Sequence, residues 1–94
     1  MKEIRSTQDI EAKFFAAEMS NVLAKLDLHG RFPEEIGNEV DVFLVDHQSD
    51  DVVEIVYGIG RGVLRREVLN FLKNHPMVAA VKEKGASCLV VIDK

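Results

Sequence analysis

The sequence predicts an α/β (α+β) fold: a two-layer sandwich in which helices cover a four-stranded mixed sheet. Amphipathic stretches alternate with short, apolar, β-branched runs, which is typical of β-α-β units. Near the C-terminus two such runs follow each other around Gly85, as in a β-hairpin. The expected order is therefore β-α-β-α-β-β, with one extra helix at the N-terminus.

The first 24 residues supply that extra helix. Ile10, Phe14 and Ala17 recur at helical spacing and predict a helix over residues 7–24. Ser6 with Asp9 three residues later predicts a capping box at its start. A neighbouring stripe widens the apolar face with Phe15, Met19, Val22 and Leu23. We expect this helix to pack on the core, with a protein partner as the alternative use of its large side chains.

The segment Lys25–His29 predicts a short strand with two polar side chains on one face. Leu26 and Leu28 point to the core in this arrangement, and Asp27 and His29 point the other way. A carboxylate can orient or charge an imidazole, and histidine titrates near neutral pH. Taken alone, the pair is more simply interpreted as two exposed polar residues.

A second helix is predicted over Phe32–His47, because Pro33 suits a first helical turn and apolar residues recur at helical spacing after it. The apolar run Val52–Tyr57 then predicts a buried strand. Another helix begins around Val63, and strands at Val78–Lys82 and Ser87–Ile92 form the closing hairpin.

The stretch between the second strand and the helix at Val63 is rich in glycine and arginine. Gly58, Gly60 and Gly62 alternate with other residues, and a strand-loop-helix of this kind leaves backbone N–H groups free to hold an anion. Guanidinium groups suited to phosphate lie in or just after it, at Arg61, Arg65 and Arg66. The G-x-G-x-G spacing matches neither the dinucleotide nor the P-loop motif, so a tight turn with solvated arginines is an equal alternative.

The predicted topology brings the two polar segments together. Ligands bind beyond the carboxyl ends of parallel strands. His29 ends the first strand and the glycine loop ends the second, so both should lie at one edge of the sheet.

Composition limits the classes of protein that fit. With 94 residues, 47% of them hydrophobic and 30% charged, the chain suits one ordinary globular domain. Neither a membrane span nor a secretory signal is predicted, so we expect a cytoplasmic protein. Cys88 is the single cysteine, which excludes an internal disulfide and a cysteine-based metal cage. The net charge is −4, yet residues 48–94 carry +1, consistent with a small basic site on an acidic body.

Two motifs in this order make the chain resemble the Smr (small MutS-related) domain family. The family motif L-D-x-H-G stands here as Leu26–Gly30, and H-G-x-G-x-G-x-L-R stands as Tyr57–Arg65. The resemblance covers about 26–93 and implies one Smr-like domain over residues 1–94. Residues 1–24 would be an N-terminal helical extension and residues 25–94 the core.

The resemblance implies a nucleic-acid-acting domain, an endonuclease that nicks or cleaves DNA or RNA, with a link to DNA repair. Asp27 and His29 would be the catalytic acid–base pair. The residues that would bind phosphate are Tyr57, Gly58, Gly60, Arg61, Gly62 and Arg65. No metal-ligand set is predicted; no cofactor is certain, and a divalent metal ion stays open. No membrane partner is expected.

One departure from the family pattern bears on activity. The histidine of the second motif is Tyr57 here, and tyrosine, with an ordinary pKa of about 10, is a poor base at neutral pH. Ile59 also stands where relatives often carry a basic residue. The alternative is therefore a nucleic-acid-binding module without catalysis, and a third is a protein-interaction domain working through helix 7–24.

Overall fold

The computed structural model describes residues 7–20 and 22–93, in which three helices and four strands follow the predicted order. The helices are α1 (Thr7–Glu18), α2 (Pro33–Asp46) and α3 (Val63–Lys73). The strands are β1 (Lys25–Asp27), β2 (Val52–Val56), β3 (Val78–Lys84) and β4 (Ser87–Ile92).

The sheet is mixed, as predicted, with the strand order β1-β2-β4-β3. β1 runs parallel to β2, whereas β4 is antiparallel to both of its neighbours. β3 therefore runs in the same direction as β2, but β4 lies between them. The carboxyl ends of β1 and β2 consequently lie side by side at one edge.

β2 and β4 form the centre of the core, because both faces of these strands are covered. Val53, Ile55 and Val90 pack against α2 and α3 on one face. On the other face, Val91 packs against α1. Cys88 is also buried, and burial raises the pKa of its thiol to about 12, so it stays protonated at neutral pH.

α2 and α3 contact each other closely at Gly37. A Cβ atom at this position would lie 3.3 Å from Cε1 of Phe71. The glycine, although unfavourable in a helix, therefore lets the Phe71 ring of α3 approach the backbone of α2. Within residues 25–93, the helices thus pack on one face of the sheet, in the two layers that were predicted.

α1 covers the opposite face of the sheet through Phe14 and Ala17. It ends at Glu18, so the prediction of a helix as far as residue 24 was wrong. The Val22 N–H donates to Ser20 Oγ at 3.1 Å, and such a local bond competes with a continuing helix.

Of the wider apolar stripe predicted for the first helix, Leu23 packs against the core, whereas the other three side chains are exposed. Phe15 and Met19 are 68% and 72% exposed, and Val22 is 88% exposed. The predicted protein partner for this helix stays a prediction. The capping box also stays a prediction, because Ser6 lies outside the described residues.

None of the helices in the described part of the chain has the length and apolar character needed to cross a bilayer.

Candidate active site

Asp27 and His29 meet where β1 ends. The Asp27 Oδ1 atom lies 2.7 Å from Nδ1 of the His29 ring. The same oxygen accepts a hydrogen bond from the backbone N–H of His29 at 3.1 Å. This local turn ends β1 at Asp27, two residues before the predicted end, and it holds the imidazole against the carboxylate.

The pairing fixes which ring nitrogen is available for chemistry. An ionised carboxylate only accepts hydrogen bonds, so the neutral ring carries its proton on Nδ1 and its lone pair on Nε2. The His29 side chain is 74% exposed, and no described residue hydrogen-bonds to its Nε2. An exposed nitrogen with a free lone pair, held in one orientation, is suited to accept a proton from a substrate or water.

A second aspartate–histidine pair shows the contrast. His75 Nε2 lies 2.8 Å from Asp41 Oδ1, and His75 Nδ1 accepts the Met77 N–H at 3.1 Å. Both ring nitrogens are therefore occupied, and the His75 side chain is only 7% exposed. This pair joins α2 to the end of α3 and leaves no nitrogen free.

The Asp27–His29 pair should make the stability of the fold depend on pH. The His29 ring, and after it the His29 backbone N–H, lowers the pKa of the Asp27 carboxyl from its ordinary value, with smaller effects from the charges of His29 and Arg31. Since the native pKa is lower than that of the unfolded chain, the pair stabilises the fold above the unfolded pKa. That stabilisation is lost as the pH falls through the native pKa.

In a ¹³C NMR titration, the Asp27 carboxyl is expected to titrate below the ordinary value of about 3.9. His29→Ala should raise this midpoint, while the control Arg31→Ala should change it less. An Asp27 midpoint that does not respond to His29→Ala would contradict the assigned cause.

The glycine loop lies directly against His29. Gly58, Gly60 and Gly62 have φ angles of +82°, +154° and +80°, a region that residues other than glycine rarely adopt. A Cβ atom on Gly58 would lie 3.4 Å from the Cβ of His29. The two motifs therefore share one cleft of about 280 Å³, lined by residues 29–30 and 57–65.

The backbone amides available to an anion follow Gly58 in the chain and lie at the start of α3. The Gly58 N–H is used within the fold, where it donates to the Ala86 carbonyl at 2.9 Å. In α3 the Arg66 N–H donates to the Gly62 carbonyl at 3.0 Å. No described residue accepts a hydrogen bond from the three preceding amides, those of residues 63–65. These N–H groups lie at the positive end of the helix dipole.

The arginines of the loop differ in their surroundings. Arg65 is paired with Glu83 of β3, with 2.7 Å between Nε and Oε1, and this pairing raises the pKa of the guanidinium. Arg61 is exposed and makes no ion pair within residues 7–20 and 22–93. Arg61 is therefore a cation of this cleft that a phosphate can approach without displacing an internal carboxylate.

Tyr57 points into the core and is only 3% exposed. Its hydroxyl donates to the Ser87 carbonyl at 2.9 Å, which joins the end of β2 to the start of β4. Burial is the main cause that raises the pKa of the phenol, with smaller contributions from Cys88 and Glu83. The phosphate contact predicted for Tyr57 stays a prediction, and the geometry gives this side chain a contact inside the fold.

The described residues do not form a metal cage. No group of three or more His, Cys, Asp or Glu side chains is placed so as to hold a metal ion within them. Asp27 offers one carboxylate at the cleft, and its Oδ1 already bonds twice to His29.

Sequence comparison decides the family. A model of the Smr domain family matches residues 26–92, which include both motifs and every residue of the pair and the loop. The chain belongs to the Smr domain family. The prediction made from the two motifs is confirmed.

Curated relatives of this Smr domain include endonuclease MutS2 from three bacteria. Identity is 28% over 92 residues with the protein of Caldicellulosiruptor saccharolyticus, 39% over 83 with that of Streptococcus uberis and 43% over 76 with that of Streptococcus thermophilus. These alignments cover 88%, 79% and 71% of the chain. They cover only 12%, 10% and 10% of the relatives, so the chain spans about a tenth of their length.

A solved structure supports the fold of this Smr domain. The Smr domain of Thermus thermophilus MutS2 superposes with a TM-score of 0.73 at 20% identity, covering 77% of this chain and all of that one. The predicted α+β architecture is therefore confirmed.

The sequence did not reveal Glu83, the partner of Arg65. The two residues lie 18 positions apart in the chain and belong to no shared motif. The one available signal was the position of Glu83 in the predicted closing hairpin.

Proposed function

We propose that this Smr domain is an endonuclease module that nicks or cleaves DNA or RNA with the Asp27–His29 pair as its acid–base group. The observation that carries the proposal is the position of His29: its ring faces solvent with Nε2 free, and its Cβ lies against the glycine loop. The endonuclease names of the MutS2 relatives support the same chemistry.

The phosphodiester would be held at the start of α3. The free amides of residues 63–65 and the unpaired guanidinium of Arg61 supply hydrogen-bond donors and positive charge. The same groups would stabilise the extra negative charge that develops on the phosphoryl oxygens in the transition state.

His29 would move the proton. Its Nε2 takes a proton from the attacking water, or from the 2′-hydroxyl in RNA, as that oxygen forms a bond to phosphorus. The bond from phosphorus to the leaving oxygen breaks, and that oxygen takes a proton from the imidazolium or from solvent. Asp27 holds the ring and stabilises the imidazolium that forms.

The test is a cleavage and binding assay on supercoiled plasmid and on structured RNA. Wild type should cleave at least one of them, and Asp27→Ala/His29→Ala should abolish cleavage while retaining binding. Arg61→Ala should weaken binding and make the plot of log affinity against log salt concentration less steep, by the amount expected for the loss of about one phosphate contact. Lys73→Ala, which removes a cation from the far end of α3, is the matched control and should change neither.

A binding module without catalysis is the second candidate, and Tyr57 favours it. Tyr57 stands where the family has its second histidine, and this side chain is buried. Its hydroxyl donates a hydrogen bond to the Ser87 carbonyl. Salt-sensitive binding that depends on Arg61, with no cleavage by wild type, would support the binding module and overturn the endonuclease. Absence of binding in wild type would overturn both. DNA repair and a cytoplasmic location stay predictions.

A further inference from the structure

The cleft that would hold phosphate has an apolar side. Ile59 lies in the glycine loop between Gly58 and Gly60, and its side chain is 92% exposed. Val63, at the start of α3, lines the same cleft and is 44% exposed. The glycines on either side of Ile59 have no side chains that could shield it.

These apolar groups have no use in binding phosphate. A phosphate oxygen needs a donor or a cation, which the amides of residues 63–65 and Arg61 provide in the same cleft. Single exposed aliphatic residues are ordinary on protein surfaces. Ile59 and Val63 differ because they share a cleft with an unpaired cation, so a ligand held there would meet both kinds of surface.

A nucleotide offers both surfaces only when its base is exposed. In a duplex the faces of the bases are stacked on each other, and an apolar side chain reaches them only by prising the stack apart at a free-energy cost. In a single strand the face of a base lies open beside its own phosphate. The combination of Arg61 with Ile59 therefore matches an unpaired nucleotide.

We propose that Ile59 and Val63 contact the face of an unpaired base whose phosphate is held by Arg61, so that this site prefers single-stranded nucleic acid to duplex. The proposal rests on the proposed function, because it assigns the substrate of the same cleft. The aliphatic side chain buries apolar surface against the base, and the positive groups next to it hold the backbone.

The test compares binding to a single-stranded deoxyoligonucleotide and to a duplex of the same sequence. Fluorescence anisotropy gives the two dissociation constants, and a gel run after each titration verifies that the oligonucleotide is intact. Wild type should bind the single strand more tightly. Ile59→Ala should weaken single-strand binding by about five- to tenfold and leave duplex binding within about twofold.

Two further variants sharpen the comparison. Ile59→Lys should strengthen duplex binding, because it adds one phosphate contact. The slope of log affinity against log salt concentration should steepen by about 0.9. Val42→Ala removes an aliphatic group of α2 that is 50% exposed and lies outside the cleft, and it should leave both affinities unchanged.

The failures of the two proposals are distinguishable. Binding that depends on Arg61 but shows the same strand preference in wild type and Ile59→Ala would overturn the base contact alone. A wild type that binds neither deoxyoligonucleotide, nor the plasmid and the structured RNA of the cleavage assay, would overturn the proposed function and the base contact with it.

Discussion

Replacing Asp27 by asparagine is expected to lower the cleavage rate by about 10²–10⁴-fold. The asparagine carbonyl can still accept the His29 N–H, so the turn at the end of β1 should persist. A neutral amide cannot stabilise an imidazolium. If its NH₂ group faces Nδ1, the ring proton moves to Nε2 and the lone pair leaves the cleft. The loss should therefore appear in catalysis and not in binding.

The measurement is the time course of cleavage, with nucleic-acid affinity determined in parallel. Asp50→Asn is the matched control, because Asp50 pairs with His47 at 3.2 Å and precedes β2, at the opposite end of that strand from the glycine loop. It should cleave within about twofold of wild type, as expected of a surface change away from the reacting groups. An Asp27→Asn variant that cleaves as fast as wild type would remove the aspartate from the mechanism.

The largest expected effect on stability comes from Ile55→Ala, at about 2–5 kcal/mol. Ile55 is fully buried on β2, which pairs with both β1 and β4. Shortening this side chain leaves a cavity beneath α2 and α3 that a close-packed core fills only in part. Small domains have only about 5–15 kcal/mol to lose, so the midpoint of thermal unfolding should fall by about 10 °C or more.

Urea denaturation monitored by circular dichroism gives the free energy of unfolding. The control is the same chemical change at Ile59, which is 92% exposed. Ile59→Ala should stay within about 0.5 kcal/mol of wild type. Equal losses from the two variants would show that burial of Ile55 is not what stabilises the sheet. The stability of Ile59→Ala also serves the comparison of single-strand and duplex binding. If this variant is folded, its weaker binding reflects a lost contact and not unfolding.

The elements of the core could be predicted because each depends on neighbours within a few residues. Apolar spacing gave both ends of α2 within one residue and the start of α3. The encounter of Asp27 with His29 is also local, since both residues lie on one short turn. α1 was predicted too long because the spacing of Met19 and Val22 still looks helical, whereas the Ser20 hydroxyl accepts the Val22 N–H in a local bond that competes with a continuing helix.

The sequence by itself determined the order of helices and strands, the two motifs and the edge of the sheet where they meet, because periodicity and strand direction are properties of short segments. Only the tertiary structure decided which groups of the site are free. The Ala86 carbonyl accepts a hydrogen bond from the Gly58 N–H, and the Ser87 carbonyl accepts one from the Tyr57 hydroxyl. Glu83 forms an ion pair with Arg65. These partners lie 18 to 30 positions away in the chain. A local pattern carries no information about them, because only the folded sheet brings them within hydrogen-bonding distance.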